Sequence, residues 1–353
     1  MFEIEVLQPP RNNLQSGGYL FNYKITQNLK KKCSCRLVEI ENKDLVKYLS
    51  KRAKNKSVII LDSIYLKYID YSEIEPLLKG RNRRIMLLLH LLPSADLNKE
   101  NSTLTLKRKI QSRELGWIKK SNLVIIVTGK NYKKELVKKG VCPSRIKVIY
   151  PGQETKILKN KEVSNRVKHP VRGVTVGSIC PRKNQILLLE ILRKIKPELY
   201  EWTFIGNMDI SPKYTKKLIH IVKKGKMKNS IFFKDQIHHT KVIENLLQSD
   251  LYVSTSVQES YGISVAEACS VGLPVLSLNT GDFSYWVQNN KNGYLIDQEN
   301  TKELENKMLA VLADLNLLNQ LKISSIKLSK EISIPTWEQS SSKFEKICCS
   351  LYQ

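Results

Sequence analysis

The stretch 249–275, SDLYVSTSVQESYGISVAEACSVGLPV, has the residue types and spacing of an anion-binding site. Its pattern predicts a strand, a loop and then a helix that begins near Ser264. The backbone amides of Gly262, Ile263 and Ser264 would lie at the start of this helix, where they lack partners within the helix. Such a terminus attracts a phosphate through its amides and the helix dipole.

Two carboxylates eight residues apart, Glu259 and Glu267, would flank this helix terminus. They would repel a phosphate, so direct phosphate contact is a poor use for them. Ionised carboxylates accept hydrogen bonds, and sugar hydroxyls are suitable donors. A lone glutamate in a loop is usually solvated, but two glutamates in this frame favour a binding role.

A parallel sheet with helices on both faces is needed to position these residues. Short apolar runs alternate along the chain with amphipathic, lysine-rich stretches, a pattern typical of the α/β class. Ligands of such folds bind beyond the carboxyl ends of the strands. The predicted strands are 4–7, 58–61, 85–89, 123–127, 146–149, 174–177, 202–205, 231–233, 251–254 and 274–277. The predicted helices are 19–29, 132–139, 185–195, 213–223, 242–247, one that begins near 264, 302–312 and 337–351.

Two such series occur, which fits a length of 353 residues. Pro151-Gly152 breaks the pattern, and a polar stretch with little apolar periodicity follows it. We therefore expect a first domain over 1–153, a linker over 154–170, a second domain over 171–335 and a final helix within 336–353.

The basic charge is concentrated in the first series. The formal net charge is +26, and residues 1–150 have 31 Lys and Arg against 13 Asp and Glu, whereas the rest have 28 against 20. A basic first domain suits an anionic membrane surface or another polyanion. A merely solvated surface, enriched in lysine by AT-rich coding, explains the charge equally well. Nucleic acid is a less favoured partner, because the sequence has no basic stretch interleaved with aromatics and no known nucleic-acid module.

Membrane-spanning, secreted and cysteine-metal classes are not indicated. The longest apolar runs, 85–89 and 123–127, are far shorter than the roughly 20 residues that span a bilayer. The N-terminus lacks the basic and apolar regions of a signal peptide. The seven cysteines show no CxxC or zinc-ribbon spacing, so we expect reduced thiols in a cytoplasmic protein.

The stretch 249–275 resembles the Glu-x7-Glu signature of retaining glycosyltransferases of the GT-B fold, in glycosyltransferase family 4 (glycosyl transferases group 1). The matching residues are Glu259, Tyr261, Gly262, Glu267, Ala268, Gly272, Pro274 and Val275. The resemblance implies a GT-B fold, with two Rossmann-like domains, a deep cleft between them and a C-terminal helix that crosses back to the first domain. Residues 1–153 would then bind the acceptor, and residues 171–335 the nucleotide-sugar donor.

Other segments agree with the family in order and distance. Residues 176–184, VGSICPRKN, resemble the opening of the second domain, where Lys183 matches a lysine that binds the donor diphosphate. Ser16-Gly17-Gly18 resembles the glycine loop of the first domain, which faces the donor phosphates and the acceptor. His90 matches a histidine that often lies near the transferred sugar. Segments 148–152 and 335–338 resemble the end of the first domain and the start of the crossing helix.

Three departures from the family pattern occur. Ser178 replaces the arginine that usually follows the glycine, and Arg182 is a candidate for the lost charge because arginine binds phosphate bidentately. Tyr285 stands in place of the glutamate of a Gly-Gly-x-x-Glu motif. Asn207 stands in place of a second glycine after Gly206.

The resemblance implies that basic groups stabilise the leaving diphosphate. Lys183, Arg182 and the amides of Gly262, Ile263 and Ser264 would supply this stabilisation. The sequence contains no Asp-x-Asp motif, so we expect neither a metal clamp nor any other cofactor.

The remaining candidates would contact sugar. Glu259 would bind hydroxyls of the donor sugar, and Glu267 those of the nucleotide ribose. His90 would contact the sugar or the acceptor, although a buried core histidine is the alternative. Glu259, His90 and Lys183 are thus the catalytic candidates. Asp62 could contact an acceptor, and His238-His239 is expected to be a loop pair because no third metal ligand is evident.

The implied activity is transfer of a sugar, with retention of configuration, from a UDP- or GDP-sugar to a glycan or lipid-linked acceptor in envelope or surface polysaccharide synthesis (hexosyltransferase type, EC 2.4). The enzyme would be cytoplasmic and peripheral to the inner face of the cytoplasmic membrane. The alternative is a non-catalytic protein that binds a polyanion or nucleic acid on a degenerate GT-B scaffold. Such a protein need not keep Glu259, Lys183 and Glu267 together.

Overall fold

The computed structural model describes residues 3–10, 16–52, 57–78, 84–96, 104–153 and 166–352. The chain divides into two compact units. The first unit consists of residues 1–153 and 335–353, and the second of residues 154–334. Most of the expected linker, residues 154–165, lies outside the described residues.

The first unit contains a six-stranded parallel sheet with the strand order β2-β1-β3-β4-β5-β6. Its strands are β1 (Glu3–Gln8), β2 (Cys35–Glu39), β3 (Ser57–Asp62), β4 (Ile85–Leu89), β5 (Val124–Val127) and β6 (Ile146–Val148). Its helices are α1 (Gly17–Leu29), α2 (Leu45–Arg52), α3 (Tyr71–Leu78), α4 (Leu104–Leu115), α5 (Lys130–Lys138) and, at the C-terminus, α12 (Trp337–Tyr352).

The second unit contains another six-stranded parallel sheet, with the order β12-β11-β10-β7-β8-β9. Its strands are β7 (Val171–Val176), β8 (Tyr200–Ile205), β9 (Ile231–Lys234), β10 (Leu251–Ser254), β11 (Val275–Leu278) and β12 (Gly293–Ile296). Its helices are α6 (Gln185–Leu192), α7 (Pro212–Lys224), α8 (His239–Gln248), α9 (Ile263–Ser270), α10 (Thr301–Ala313) and α11 (Leu315–Ser329).

The central strands are apolar because helices cover both faces of each sheet. Every residue of β3, β4, β10 and β11 is buried. Apart from Ser57 at the start of β3, the polar residues of these strands lie near the carboxyl ends, as Asp62 does in β3 and Ser254 in β10. Those ends are the edge at which parallel α/β sheets bind ligands.

The C-terminal helix α12 packs against the first unit. Trp337 and Phe344 of α12 are buried in one apolar cluster with Phe21 of α1. The chain that leads into α12 is held by two hydrogen bonds, from the Gln153 amide to the Pro335 carbonyl (2.9 Å) and from Ser340 Oγ to the Tyr150 carbonyl (2.8 Å). The C-terminal helix thus completes the unit that residues 1–153 begin.

The α/β class with two parallel sheets expected from the sequence is confirmed, and every predicted strand and helix forms with its ends within three residues. The elements that sequence reasoning missed are β2, β12, α2, α3, α4 and α11. The edge strand β2 (CRLVE) is only five residues long and does not alternate strictly between charged and apolar residues. In α11, Ser and Asn interrupt the apolar positions, which weakens its helical pattern. None of the described helices combines the length and the apolar content needed to cross a bilayer.

Candidate functional site

Two loops at the carboxyl edge of the second sheet are tied together by hydrogen bonds. The loop after β7 contains Arg182 and Lys183 in a short 3-10 turn, and Asn184 ends this turn with a φ of 51°. Thr255 Oγ1, after β10, donates to the carbonyls of Lys183 (3.0 Å) and Asn184 (2.9 Å). The Val257 amide donates to the Arg182 carbonyl (2.9 Å). The two basic side chains are therefore held beside the loop that contains Glu259.

Glu259 forms the centre of a charged cluster. Its Oε1 lies 2.5 Å from Lys183 Nζ and 3.4 Å from Arg182 Nη1. The Arg182 guanidinium also donates to the Gln258 carbonyl (3.0 Å), and the Glu259 amide donates to Thr280 Oγ1 (3.1 Å). The Glu259 side chain is only 12% exposed, so this pairing occurs largely out of water.

The ionised form of Glu259 is favoured by these contacts. Burial raises the pKa of Glu259, but the positive charges of Lys183 and Arg182 and hydrogen bonds from Lys183 and Ser256 outweigh burial and hold the pKa below its usual value. Glu259 is therefore a carboxylate at neutral pH, and it can only accept hydrogen bonds.

The helix α9 begins at a position that only glycine fits. Gly262 has a φ of 84°, and a Cβ atom there would lie 1.9 Å from Cε1 of Phe283. The carbonyl of Gly262 accepts from the amides of Val265 and Ala266. Among the residues that the structure describes, none accepts a hydrogen bond from the amides of residues 262, 263 and 264. The start of α9 thus provides the three unpaired amides that the sequence predicted.

Within the described part of the chain, the side chain of Ser264 forms a hydrogen bond, unlike its backbone amide. Its Oγ accepts a hydrogen bond from the hydroxyl of the buried Tyr252 (2.8 Å), on β10. This contact ties the first turn of α9 to the strand on which the site loop begins.

Glu267 is paired with His239, a contact that sequence reasoning missed. His239 Nε2 lies 2.6 Å from Glu267 Oε1, and Glu267 is 9% exposed. The expectation of a loop pair at 238–239 was wrong, because His239 is the first residue of α8 and His238 caps this helix by accepting from the Thr240 amide. The only available signal was that α8 precedes β10, which brings its start to the same sheet edge.

The first unit has its own group of polar residues, around His90. His90 follows β4, and its Nε2 lies 2.9 Å from Asn22 Oδ1 and 3.7 Å from Asp62 Oδ2. The expectation that Asp62 contacts an acceptor was wrong: Asp62 is 1% exposed, and it accepts from Asn22 Nδ2 (2.7 Å) and the Ile64 amide (2.9 Å). We call Gln8, Asn22, Asp62 and His90 the first-unit cluster.

The glycine pair at the start of α1 borders this cluster. Gly17 is the first residue of α1, and Ser16 caps the helix by accepting from the Tyr19 amide (3.4 Å). A Cβ atom on Gly18 would lie 2.9 Å from Cδ2 of His90. Gly18 therefore makes room for the His90 ring.

The loop after His90 is fixed by buried polar groups. The Leu92 amide donates to the Tyr132 hydroxyl (2.8 Å). Glu114, which is 2% exposed, accepts from both the amide (2.6 Å) and the hydroxyl (2.7 Å) of Ser94. Burial raises the pKa of Glu114, although both Ser94 contacts oppose this. The backbone that follows His90 is thus anchored to α4 and α5.

The structure brings the predicted residues together in two groups. Arg182, Lys183, Glu259 and Glu267 lie in the second unit, and we call them the second-unit cluster. His90 and Gly18 lie together in the first unit. Of the departures from the family pattern, Tyr285 is 41% exposed, and Arg182 lies in contact with Glu259.

Part of the sequence is similar to known glycosyltransferases. Residues 156–327 match the family described as glycosyl transferases group 1. Protein CapJ of Staphylococcus aureus is 28% identical over 169 residues, which are 46% of this chain and 40% of CapJ. The poly(glycerol-phosphate) alpha-glucosyltransferase of Bacillus subtilis is 24% identical over 181 residues, which are 50% of this chain and 26% of that enzyme. This chain thus matches less than half the length of each of these two relatives.

Solved structures show the same fold over the whole chain. Sucrose-phosphate synthase from Thermosynechococcus elongatus has a TM-score of 0.77 at 15% identity, with 100% of this chain and 99% of that chain covered. HepE of Anabaena, in complex with UDP-glucose, has a TM-score of 0.75 at 15% identity, with 99% and 100% covered. The chain therefore has the GT-B fold, and residues 156–327 of its second unit are similar to the glycosyl transferases group 1 family.

Proposed function

We propose that this chain is a retaining glycosyltransferase, which moves a sugar from a nucleotide diphosphate sugar to a glycan or lipid-linked acceptor in envelope or surface polysaccharide synthesis. The observation that carries the proposal is the placement of Glu259. It is ionised, largely buried and paired with Lys183 and Arg182, three residues along the chain from the unpaired amides of α9. The carboxylate suits the hydroxyls of a sugar, and the two cations and three amides suit the negative charge of a diphosphate.

The cations and amides have a role in breaking the bond to the diphosphate. As the bond between the anomeric carbon and the diphosphate oxygen breaks, its electron pair moves to the diphosphate. Lys183, Arg182 and the α9 amides would stabilise the added negative charge, since they are already in place before the reaction. Lys183 would exchange Glu259 for a phosphate oxygen, which leaves Glu259 free to accept from sugar hydroxyls.

The acceptor hydroxyl would attack the same face of the sugar from which the diphosphate departs. The new bond joins the acceptor oxygen to the anomeric carbon, and the hydroxyl proton passes to a diphosphate oxygen. We assign Glu259 to sugar binding rather than to a covalent intermediate. Glu267 would bind the ribose hydroxyls with the oxygen that His239 does not hold.

The comparisons guide the choice of substrates. HepE binds UDP-glucose, so a UDP-sugar is the first donor to test, with a GDP-sugar as the second. The poly(ribitol-phosphate) alpha-N-acetylglucosaminyltransferase of S. aureus is 27% identical over 161 residues, which are 43% of this chain and 31% of that enzyme. Its name and that of the B. subtilis relative favour a phosphate-rich surface polymer as acceptor. We also propose that the reaction needs no metal ion, since two cationic side chains adjoin the sugar-binding carboxylate.

We place the enzyme in the cytoplasm, with its first unit resting on the anionic inner face of the membrane. Residues 1–150 have 31 basic against 13 acidic residues. On α4, Arg108 and Lys109 are exposed together with Leu104 and Leu106, a combination that suits anionic headgroups.

The proposal is tested by incubating the purified chain with UDP-glucose or UDP-N-acetylglucosamine and either poly(glycerol phosphate) or poly(ribitol phosphate), in EDTA. We expect release of UDP and an α-linked product by proton NMR, both abolished in Glu259→Ala. A β-linked product would overturn retention, and activity only after added Mg²⁺ would overturn metal independence. Tight, salt-sensitive binding of polyanions without any transfer would favour the non-catalytic alternative.

A further inference from the structure

The first-unit cluster is a continuous chain of hydrogen bonds across the carboxyl ends of β1, β3 and β4. Gln8, Asn22 and Asp62 are at most 1% exposed, and the His90 side chain is 15% exposed. Asn22 Nδ2 donates to Asp62 Oδ2 over 2.7 Å and to Gln8 Oε1 over 3.0 Å. Asn22 Oδ1 lies 2.9 Å from His90 Nε2. All four heteroatoms of the Asn22 and Gln8 amides therefore have partners.

The carboxylates at the ends of this chain fix the direction of each hydrogen bond. An ionised carboxylate only accepts, so Asn22 must turn its Nδ2 toward Asp62. A flipped Asn22 amide would point its oxygen at two acceptors, Asp62 Oδ2 and Gln8 Oε1. Gln8 is oriented in the same way, because its Nε2 donates to Glu39 Oε1 (3.2 Å) and its oxygen is left for Asn22. Asn22 thus presents an oxygen to His90.

His90 Nε2 must carry a hydrogen, since it faces that oxygen. Burial lowers the pKa of His90, and the opposing charge of Asp62 does not reverse this, so the neutral ring is favoured. In a neutral imidazole the other nitrogen, Nδ1, is an acceptor. No described residue donates to Nδ1, and Nδ1 is not among the buried side-chain atoms that lack a partner. Its lone pair is therefore open to a ligand.

The ring is also fixed by packing on its sides. Phe21 contacts it edge-on, with ring centroids 5.3 Å apart, and Gly18 leaves no space for a side chain beside Cδ2. A rotated ring would lose the hydrogen bond to Asn22. Its position and its tautomer are set by the same neighbours.

We propose that Gln8, Asn22 and Asp62 are positioning residues that hold His90 as the Nε2–H tautomer, so that Nδ1 accepts a hydrogen bond from a substrate hydroxyl. His90 is then neither a cation for the diphosphate nor a hydrogen-bond donor to it. The tautomer is a property of the protein alone, whereas the hydroxyl contact rests on the proposed sugar transfer.

The tautomer is tested by NMR of the full chain labelled with ¹⁵N-histidine. The chain has five histidines, and the signals absent from His90→Gln identify His90. We expect a protonated Nε2 and an unprotonated Nδ1 near pH 7.5. Asn22→Leu removes the oxygen that accepts from His90 and the amide nitrogen that fixes its direction, so it should convert His90 to a mixture of tautomers. Asn28→Leu, on the same helix, should not. A protonated Nδ1 in the unmodified chain would overturn the proposal.

A second variant guards against misfolding of Asn22→Leu. Gln8→Leu breaks the chain one link farther from His90 and should also shift the tautomer balance, by less. If both variants fold and both leave the His90 signals unchanged, the positioning role is refuted.

The hydroxyl contact is tested by comparing His90→Gln with His90→Asn. Glutamine places its amide nitrogen near the position of Nε2 and can still donate to Asn22, but it leaves no acceptor at Nδ1. Asparagine places an amide oxygen near Nδ1. We expect sugar transfer to fall about tenfold in His90→Gln, as for one lost hydrogen bond, and less in His90→Asn, with UDP affinity unchanged in both. Full transfer by His90→Gln would overturn the contact. Absence of transfer in the unmodified chain would instead refute the proposed function and leave the tautomer result standing.

Discussion

The two clusters hold their central residue by opposite means. In the second-unit cluster, Glu259 lies between two cations, so its contacts are ionic. In the first-unit cluster, His90 is held by neutral amides whose directions are set by carboxylates farther away. An ion pair can be exchanged for a charged ligand, whereas a directed amide chain keeps one donor pattern. We infer that the second-unit cluster is built to rearrange on binding and the first-unit cluster to stay fixed.

The largest expected effect tests the ionic cluster. Lys183→Met removes the cation nearest to Glu259, and we expect sugar transfer to fall about 10²–10³-fold, as when one preorganised group that stabilises a leaving charge is lost. Lys194→Met is the matched control, since Lys194 forms an ion pair with Glu305 elsewhere in the same unit. Equal effects of the two substitutions would show that general positive charge, rather than the Lys183–Glu259 pair, is what matters.

A smaller effect is expected at the start of α9, on which the second-unit cluster depends. Gly262→Ala should lower the free energy of unfolding by about 2–4 kcal/mol, because of its φ of 84° and the clash with Phe283. Urea denaturation measures this loss. Phe283→Leu in the same chain should recover the steric part only, and a Gly262→Ala chain as stable as the unmodified one would contradict the geometry.

The pH dependence of stability should separate the two clusters. Burial lowers the pKa of His90, so the folded state favours the neutral ring. As the pH falls below about 6.5, the unfolded chain takes up a proton on His90 before the folded chain does, and the free energy of unfolding decreases. Burial opposes ionisation of Glu259, but its cations lower the pKa overall, so its contribution persists above about pH 4.3 and is lost only below that.

Urea denaturation of the unmodified chain, His90→Gln and Glu259→Gln between pH 8 and pH 3 checks this separation. His90→Gln should remove the loss in the upper range, and Glu259→Gln the loss in the lower range. If one substitution altered both ranges, the clusters would not be independent.

The smallest effect is expected at His239. His239→Gln removes the imidazole from Glu267, and we expect UDP affinity to fall about three- to tenfold, as for one hydrogen bond to a charged group at a partly exposed position. Isothermal titration measures this change. His220→Gln, at an exposed position of α7, should leave UDP affinity unchanged.

The second-unit cluster was largely predictable because its residues lie in two short segments. Residues 259–267 form one strand–loop–helix unit, in which spacing alone places a carboxylate beside a helix start. Lys183 and Arg182 were identified from the family resemblance, and the structure places their loop beside the loop after β10 because β7 and β10 are neighbouring parallel strands. The pairing of His239 with Glu267 was missed because 28 residues separate them and histidine spacing gave no signal.

The first-unit cluster was predicted only in part because its members come from four separate elements. Gln8, Asp62 and His90 end or follow the neighbouring strands β1, β3 and β4, so a correct strand order would have placed them together. Asn22 lies within α1, and no sequence pattern shows which face of that helix meets the sheet edge. The role of Asp62 was misjudged because a carboxylate at a strand end can equally face a ligand or fix a neighbour.

The central claim is that the second-unit cluster binds a nucleotide diphosphate, and the most direct measurement is thermal unfolding with nucleotides and nucleotide sugars in EDTA. A ligand that binds only the folded chain must raise the melting temperature. We predict that UDP or GDP and their sugars raise it at millimolar concentration, that Glu267→Ala loses this rise, and that Glu244→Ala, on the exposed side of α8, retains it. No shift with any nucleotide would contradict the account.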